Sequence, residues 1–586
     1  MLFEAFKRNR AELADKASFL IAAGDRSVPI AWRQFARDVE TVAYLIETRA
    51  PRAKIGILGE NSYEWMVAHA ACLFAGAVAV PLEVTLTPEE IAERLQFVGA
   101  SVLVHSSLHL ERARAVGKLM PSLFVAGFGS KNTDRVMAAA RAKFEAESTS
   151  VFDRPPRDEN ETAMIVFTSG TTSKPRGAEL SIAGISAFAA FAGAQLSMKP
   201  GDRSLMLLPL FHIYGICASY AMLVHGVAQG VCPDFRRIYD AVERFRANYC
   251  FLVPALADVL AAKIERRGAT AAQALGTPID WVLVGGAPLS SATRERLQRL
   301  GVMALTAYGL TETTALYSVA PVAAPHPGSA GQVCKSFGVE TKVSDRGELL
   351  IRGPNVLKRY YGEPGRTAEV LSSDGWFHTG DLGQIDAQGF VRITGRASRT
   401  IVLSSGKKVA PEELEEKLLS IPGVKEAVVS GDGASREVRA EIFTDLSEAA
   451  IRQRVDDLNC LLPVHKRIRT TSVRNEPFPR TPSGKIAVAA AVPPPAAPVE
   501  SSVSRRMFRV VGACAFAALG VLLLNVLPQA LERMGVTFSG PAQIVWEFVE
   551  EFGEIVLAVF AIAAYFLSGR ILLRRKAPDR ARKGTP

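Results

Sequence analysis

The sequence predicts an α/β protein with a large N-terminal region of helix-covered, largely parallel sheets, a smaller α+β unit, and two transmembrane helices at its C-terminal end. Short apolar runs alternate with helical patterns up to about residue 395, which is typical of parallel sheets covered by helices. A region of mixed character follows over 396–490. Beyond it lie two apolar runs, 510–527 and 555–573, each close to the length that crosses about 30 Å of bilayer hydrocarbon.

The alternation of the large region is clearest near its start. The segments "AKIGILGEN" (53–61) and "ASVLVHSS" (100–107) are short and apolar, which indicates buried strands. Between them, "SYEWMVAHAACLFAGA" (62–77) favours a packed helix. We therefore expect one large domain over 1–395.

The smaller unit has both strand and helix signals. It contains the hairpin-like "RTIVLSSGKKV" (399–409), the strand "EAVVSG" (426–431), and the helix "APEELEEKLLS" (410–420), which has a proline near its start and acids in its first turn. We expect a small domain over 396–490. The remaining expected segments are a Pro/Ala-rich linker (491–506), a two-helix transmembrane hairpin (507–576) and a basic tail (577–586).

The charges beside the two apolar runs predict how the hairpin would be oriented. Arginines precede the first run and a cluster of Arg and Lys follows the second, whereas the connection between them is acidic. By the positive-inside rule, this pattern predicts a multi-pass membrane protein with both domains (1–395 and 396–490) and both termini in the cytoplasm. A soluble helical hairpin used for oligomerisation is the alternative.

Charge and cysteine usage exclude several classes of function. The net charge is +10, but the tail from 501 to 586 holds 11 Lys+Arg against 6 Asp+Glu, so half of the excess lies there. The main body has no concentrated basic stripe, which argues against a nucleic-acid partner. The seven cysteines form no CxxC pair, which argues against a zinc site or a disulfide framework.

The segment "TSGTTSKPRG" (168–177) is the strongest candidate for a binding loop. It follows "MIVF", a predicted buried strand, and ligands of open α/β sheets bind at strand ends. Its small and hydroxyl residues can turn backbone N–H groups toward one point, and Lys174 and Arg176 add positive charge, as in a polyphosphate cradle. The spacing differs from the common P-loop, because Lys174 lies only four residues after Gly170. A flexible surface loop is the alternative.

Further polar turns follow in a fixed order: "WVLVGGAPLS" (281–290), "MALTAYGLTETT" (303–314), "GELLIRGP" (347–354), "DGWFHTGDLG" (374–383), "GFVRITGRASRTIVLSSGKKVAPEELE" (389–415) and "PRTPSGKI" (479–486). With the phosphate loop, these motifs resemble the adenylate-forming superfamily of acyl-CoA synthetases, luciferases and peptide-synthetase adenylation domains. The resemblance covers about residues 20–490. It implies a large N-terminal domain, a small mobile C-terminal domain, and a reaction in two steps.

The two steps use ATP, Mg²⁺ and coenzyme A. A carboxylate attacks the α-phosphate of Mg·ATP to give acyl-AMP and pyrophosphate, and a thiol then takes the acyl group. The resemblance implies that the phosphate loop holds the β- and γ-phosphates, where fixed donors would stabilise the leaving group. The residues concerned are Thr168, Ser169, Gly170, Thr171, Thr172 and Lys174.

The remaining motifs would hold the rest of the substrates. The resemblance implies that Tyr308 lies flat on adenine beside Gly309, that Thr311 bonds the α-phosphate, and that Glu312 holds Mg²⁺. Asp381 would accept two ribose hydroxyls, with Arg396 close by. The last cofactor-binding positions are the turn at Gly285, Gly286 and Ala287, whose glycines let the backbone approach the nucleotide, and Gly406, which would admit the pantetheine arm.

Lys485 would bridge the attacking carboxylate and the α-phosphate, and thereby offset the repulsion between two anions. Individually, Asp381 could instead be a turn residue, Tyr308 a core residue and Lys485 a solvated charge. The chain departs from the family at the loop residues Ser173 and Arg176. It also departs at the hinge, which reads Ala-Ser-Arg over 397–399, so the pivot of the small domain is not defined by the sequence.

The segment "LPLFHIYGICASYAMLVHG" (208–226) bears on the substrate. It contains no acid to pair an amino-acid ammonium, so an amino-acid substrate is disfavoured. Its apolar residues either line an acyl pocket or belong to ordinary core, and His212 resembles the family's histidine near the substrate carboxyl. With the predicted membrane hairpin, a medium- or long-chain fatty acid fits best, with an aryl acid as the alternative.

Coenzyme A is the expected thiol acceptor, and an acyl carrier protein is the alternative. A kinase would need a different phosphate loop, and nothing indicates light emission. A membrane scaffold that had lost catalysis would be expected to have lost Glu312, Asp381 or Lys485, and all three are present.

Overall fold

The computed structural model describes residues 1–24, 26–128, 131–147, 150–168, 176–403, 407–431, 437–479 and 486. These residues belong to one compact unit that spans Met1–Pro493. Lys485, Gly406 and the phosphate-loop residues 169–175 lie outside the described residues, as do the predicted linker, hairpin and tail.

The strands, in chain order, are β1 (Ala17–Ala23), β2 (Arg26–Ala31), β3 (Lys54–Leu58), β4 (Val78–Leu82), β5 (Val102–Ser106), β6 (Phe124–Phe128), β7 (Thr162–Thr168), β8 (Arg176–Ser181), β9 (Arg203–Met206), β10 (Ala228–Val231), β11 (Tyr249–Leu252), β12 (Trp281–Val284), β13 (Met303–Tyr308), β14 (Ser318–Val319), β15 (Gln332–Val333), β16 (Glu340–Val343), β17 (Glu348–Arg352), β18 (Arg359–Tyr360), β19 (Phe377–Ile385), β20 (Val391–Arg396), β21 (Ile401–Val402), β22 (Lys408–Val409), β23 (Val424–Gly431), β24 (Val438–Thr444) and β25 (Thr470–Arg474).

The α-helices are α1 (Leu2–Glu12), α2 (Trp32–Arg49), α3 (Tyr63–Ala75), α4 (Pro88–Val98), α5 (Leu110–Leu119), α6 (Lys131–Glu147), α7 (Ile182–Leu196), α8 (Ile213–Val224), α9 (Ile238–Phe245), α10 (Pro254–Glu265), α11 (Ala271–Leu275), α12 (Ser291–Arg299), α13 (Pro364–Val370), α14 (Pro411–Leu419) and α15 (Glu448–Leu461).

Two large sheets build the N-terminal domain. One has the strand order β15-β14-β13-β12-β11-β9-β10-β1-β2, and its central strands β13 to β1 run parallel. The other has the order β18-β8-β7-β4-β3-β5-β6, in which β7, β4, β3, β5 and β6 run parallel. The prediction of largely parallel sheets is therefore confirmed. Antiparallel strands occur at the ends of both sheets.

A third sheet of this domain was not predicted. Strands β16, β17, β19 and β20 form a four-stranded antiparallel sheet over 340–396. The pairs β16–β17 and β19–β20 are neighbours along the chain, whereas β17 pairs with β19 across an intervening segment, which no local signal specifies. It carries Asp381 and Arg396 on neighbouring strands.

Local signals fix the helix ends. Helix α3 is capped at its start by Ser62, whose side chain accepts from the N–H of Trp65, and at its end by Gly76, which takes a left-handed conformation (φ +73°) that favours glycine. Nearly all of α3 is buried, as its apolar composition predicts. Helix α4 has a capping box between Thr87 and Glu90 with a proline in its first turn.

The smaller C-terminal domain has its own core. Strands β23, β24 and β25 form one sheet, β21 and β22 form a hairpin, and α14 and α15 pack on them. The hairpin over 399–409 and the helix over 410–420 appear where the sequence predicts them, the helix as α14. The apolar side chains Val409, Leu414 and Ile442 are completely buried in this core.

The predicted membrane localisation is corrected by the structure. Among the helices that the structure describes, none combines the length and the apolar composition that a membrane span needs. The longest of these helices, α2, has 18 residues and carries charged side chains along its length. The apolar runs 510–527 and 555–573, on which the predicted hairpin rested, lie outside the described residues.

Candidate functional site

The phosphate loop connects two described strand ends. β7 ends at Thr168 and β8 begins at Arg176, and these two residues are partners in the antiparallel register of the hairpin. The loop therefore leaves the C-terminal end of a strand that is parallel to its inner neighbour, which is where ligands of such sheets bind. The predicted phosphate ligands Ser169, Gly170, Thr171, Thr172 and Lys174 lie outside the described residues.

The turn after β12 requires a close approach. The N–H of Gly285 donates to the carbonyl of Leu252 at 3.0 Å, and a Cβ at Gly285 would lie 3.0 Å from the ring of Tyr214. Gly286 adopts φ +84°, which favours glycine. Gly286 and the next residue, Ala287, are exposed. Any other residue at Gly285 would displace the tyrosine ring.

Tyr308, Asp381 and Arg396 form one hydrogen-bonded group. Tyr308 is the last residue of β13 and only 8% exposed, and its hydroxyl donates to Oδ2 of Asp381 at 2.6 Å. Arg396 donates through Nε to Oδ1 of the same carboxylate, also at 2.6 Å. Asp381 and Arg396 are direct partners in the β19–β20 register, which brings the two side chains together.

The electrostatics of this group keep its donors protonated. Burial, and then the Asp381 carboxylate, raise the pKa of Tyr308 well above its ordinary value. Burial alone would lower the pKa of Arg396, but the charge of Asp381, its hydrogen bond and the charge of Glu312 act against burial, and the pKa lies above the usual value for arginine. The carboxylate of Asp381 therefore accepts hydrogen bonds from a neutral phenol, Tyr308, and from a charged guanidinium, Arg396.

A tight turn carries Thr311 and Glu312 away from Tyr308. A Cβ at Gly309 would lie 2.2 Å from the carbonyl carbon of Ala315, so only glycine fits there. A short 3₁₀ helix over Thr311–Thr313 follows, in which Thr311 and Glu312 are half-buried. Both predicted ligands thus lie just beyond the C-terminal end of β13.

Tyr360 is a residue of this site that the sequence analysis missed. Its hydroxyl donates to Oε1 of Glu312 at 2.7 Å, and the N–H of Leu357 donates to the carbonyl of Glu312 at 2.7 Å. The Arg176 guanidinium lies 5.7 Å from the centre of the Tyr360 ring. The available signal was the tyrosine pair "RYYG" (359–362) shortly after the "GELLIRGP" motif.

His212 lies at the start of α8 and is half-buried. Its Nδ1 accepts from the N–H of Tyr214 at 3.4 Å, so the ring caps the helix. The segment before it is fixed by Asn61, whose side chain donates to Leu208 O and accepts from Leu210 N, both at 2.9 Å. Asn61 follows β3, so residues of both large sheets position His212.

The hinge departs from the family pattern and makes contacts of its own. Residues 397–399 form a 3₁₀ helix, and Arg399 donates to Glu412 at 3.0 Å and to Glu415 at 2.6 Å, both on α14. A Cβ at Gly395 would lie 2.8 Å from Oε2 of Glu412. Arg399 is therefore held by α14 within the small domain.

The structure thus brings together residues of three separate segments that the sequence predicts to bind the nucleotide. Tyr308, Asp381 and Arg396 are in direct contact, and the charge of Glu312 also acts on Arg396. Gly285 is joined to the His212 region through Tyr214.

The chain resembles known proteins along most of its length. Residues 6–361 match the family model described as AMP-binding enzyme, and residues 398–501 match the model described as AMP-binding enzyme C-terminal domain. A long-chain-fatty-acid–CoA ligase of Mycobacterium bovis is 28% identical over 430 residues, which cover 65% of this chain and 71% of that protein.

Two further similarities cover most of the chain. Feruloyl-CoA synthase of an Amycolatopsis species is 30% identical over 399 residues, which cover 65% of this chain and 76% of that protein. The solved structure of ATP-bound MatB from Rhodopseudomonas palustris is similar with a TM-score of 0.70 and 25% identity, covering 83% of this chain and 97% of that one.

Proposed function

This chain belongs to the AMP-binding enzyme family, and from that premise we propose that it activates an apolar carboxylic acid, a medium- or long-chain fatty acid, and transfers it to coenzyme A. The chain is an AMP-forming acid–thiol ligase that uses ATP, Mg²⁺ and coenzyme A. The observation that carries the proposal is the convergence of Tyr308, Asp381 and Arg396, with the charge of Glu312 acting on Arg396, from separate segments of the chain.

In this proposal Asp381 binds the ribose and Tyr308 flanks the adenine. Arg396 stays charged beside the phosphates and favours the negative charge that develops there. Glu312 suits Mg²⁺, because its half-buried carboxylate supplies the oxygen ligands that this cation prefers. Bound Mg²⁺ would neutralise charge on the ATP phosphates. Thr311, next to Glu312, donates its hydroxyl to the α-phosphate.

The remaining roles belong to residues outside the described part of the chain. Lys485 offsets the repulsion between the attacking carboxylate and the α-phosphate, and Gly406 gives the pantetheine arm room in the second step. We assign residues 1–395 to the adenylation domain and 396–490 to the small domain that carries both groups.

The apolar surroundings of α8 support an apolar acid. Every residue of this helix is buried, and the segment around it contains no acid that could pair an ammonium group. His212 at its start and Gly285 opposite Tyr214 border the place where the substrate carboxyl would lie. One relative is named for a long-chain fatty acid, which agrees with this assignment.

An aryl acid is the second candidate. The ring of Tyr214 lies against Gly285 and contacts the ring of Phe251 edge-on, with the two centroids 6.4 Å apart. Aromatic surfaces of this kind suit a planar acyl group. The relative named feruloyl-CoA synthase agrees with this candidate.

A screen of pyrophosphate release over carboxylic acids tests both candidates. The set should contain saturated fatty acids of graded length and hydroxylated cinnamic and benzoic acids, each with and without coenzyme A. We expect release that depends on an apolar acid, and acyl-CoA only when coenzyme A is present. A preference for aryl acids would select the second candidate, and release with no acid of the set would contradict both.

A further inference from the structure

Among the described residues, the hydrogen-bond partner of the Glu312 carboxylate is Tyr360. The hydroxyl holds Oε1 at 2.7 Å, and Oε2 accepts no hydrogen bond from the described part of the chain. The chain just before Tyr360 also contacts the turn that carries Glu312. The N–H of Leu357 donates to the carbonyl of Glu312, and the side chain of Asn355 donates to the carbonyls of Thr313 and Leu316.

The ring of Tyr360 is held firmly in place. The residue is 3% exposed, and its N–H donates to Oγ1 of Thr367 at 3.0 Å. Tyr360 also pairs with Ala178 in the antiparallel register of β18 and β8. Since β8 begins at Arg176, the tyrosine is anchored to the strand that leaves the phosphate loop.

The hydroxyl acts as the donor in this contact. An ionised carboxylate only accepts hydrogen bonds, so the hydroxyl of Tyr360 is the donor and Oε1 of Glu312 is the acceptor. A neutral hydroxyl that donates to an ionised carboxylate makes a stronger hydrogen bond than two neutral groups do. The Glu312 carboxylate is thereby restricted to one orientation.

We propose that Tyr360 is a positioning residue for the metal: it orients the Glu312 carboxylate so that Oε2 faces the metal–ATP complex, and it ties that ligand to the phosphate loop through β8. This inference rests on the role that the proposed function gives Glu312. Groups that hydrogen-bond a metal ligand commonly change metal affinity by about 10- to 100-fold when they are removed. A tyrosine that only filled space would have no such effect.

The variant Tyr360→Phe removes the hydroxyl and keeps the ring against Arg176. Tyr361→Phe is the matched control, because its ring contacts Phe97 and Lys54 and its hydroxyl forms no hydrogen bond with the described residues. Binding of Mn²⁺ as the probe is measured by electron paramagnetic resonance in the presence of a non-hydrolysable ATP analogue. Activity against Mg²⁺ concentration is measured in parallel.

We expect Tyr360→Phe to weaken Mn²⁺ binding about tenfold and to raise the Mg²⁺ requirement equally, while Tyr361→Phe matches the wild type. In a Glu312→Gln background, Tyr360→Phe should add little, because the oriented charge is already absent. Unchanged Mn²⁺ binding, equal losses in both tyrosine variants, or a Tyr360→Phe protein that does not fold would each overturn the proposal.

The metal readout separates this inference from the proposed function. If no acid releases pyrophosphate with the wild-type protein, the proposed activity fails, yet the Mn²⁺ comparison still decides whether Tyr360 orients Glu312. If activity is found and Mn²⁺ binding is the same in all variants, the inference about Tyr360 fails alone.

Discussion

Arg396 donates to Oδ1 of Asp381 over 2.6 Å from the neighbouring strand of the antiparallel sheet. The other carboxylate oxygen accepts from Tyr308 at the same distance. The ribose hydroxyls that the family resemblance assigns to Asp381 must therefore share or replace two protein donors. A substitution of Asp381 should therefore change both ATP binding and the stability of the fold.

We expect Asp381→Asn to weaken ATP binding at least about tenfold, because an amide accepts less strongly than a carboxylate and has only one acceptor oxygen. Stability should fall by only about 1–2 kcal/mol, since the Arg396 side chain is partly exposed and can be solvated. Fluorescent ATP titration and urea unfolding measure the two effects. Asp345→Asn, in an exposed turn, is the control, and equal ATP affinity in both variants would contradict the assignment.

Gly285→Ala tests the close approach to Tyr214. The added Cβ would lie 3.0 Å from the ring, so the ring must shift or the turn must open. We expect a loss of about 1–3 kcal/mol in the free energy of unfolding. The ratio of kcat/KM for short over long acids should also rise, because the displaced ring would narrow the acyl site.

Gly365→Ala is the matched control for this substitution, because a Cβ there meets no atom within 4 Å and its φ is not positive. If the kcat/KM ratio for short over long acids is the same in Gly285→Ala and the wild type, the acyl group does not lie beside Tyr214.

The buried His69 predicts a loss of stability in acid. Its ring is completely buried, Nδ1 lies 2.8 Å from the Tyr220 hydroxyl, and burial lowers its pKa to about 3. The folded-state pKa is below the unfolded value, so the unfolded chain binds a proton between about pH 6.5 and 3 and the folded chain does not. Stability is therefore lost as the pH falls through this window.

Between pH 7 and 5 this contribution amounts to about 2 kcal/mol. Urea unfolding at pH 7 and at pH 5 measures the free energy of unfolding of the wild type and of His69→Gln. Between the two pH values, His69→Gln should lose about 2 kcal/mol less stability than the wild type. His326→Gln, at an exposed position, should lose as much stability between pH 7 and pH 5 as the wild type does. Identical losses in all three proteins would show that His69 is not responsible.

The role of Lys485 is assigned by the family resemblance alone. Measuring the two half-reactions separately tests it. Lys485→Ala should lower pyrophosphate release from acid and ATP by two or more orders of magnitude, because the repulsion between two anions is no longer offset. Thioester formation from supplied acyl-AMP should change much less. Lys425→Ala, at an exposed ion pair, is the control, and equal losses in both half-reactions would contradict the role.

The elements that the sequence predicts correctly are those with local signals. The apolar segments 53–61 and 100–107 contain β3 and β5, and the helix between them is α3. The order of the motifs also pointed to Tyr308 and Asp381, which the structure brings into contact. These predictions depend on residues close together in the chain or on a pattern shared with a family.

Contacts between distant segments could not be predicted in this way. The bond between Tyr360 and Glu312 joins residues 48 positions apart, and nothing near either residue specifies the partner. The same holds for Asn61, which reaches from β3 to the segment before His212. Membrane localisation was predicted from two apolar runs, and in the described part of the chain no helix fits a membrane span.

The strand order also constrains how the protein folds during synthesis. β18 pairs with β8 through Tyr360 and Ala178, which are about 180 residues apart. At about 5–20 residues per second, a ribosome needs roughly 10–40 s to make the intervening chain. Until then, the outer edge of β8 has open N–H and C=O groups that can pair with another nascent chain. Translation that stops before residue 359 would therefore leave the phosphate-loop hairpin as an unprotected sheet edge.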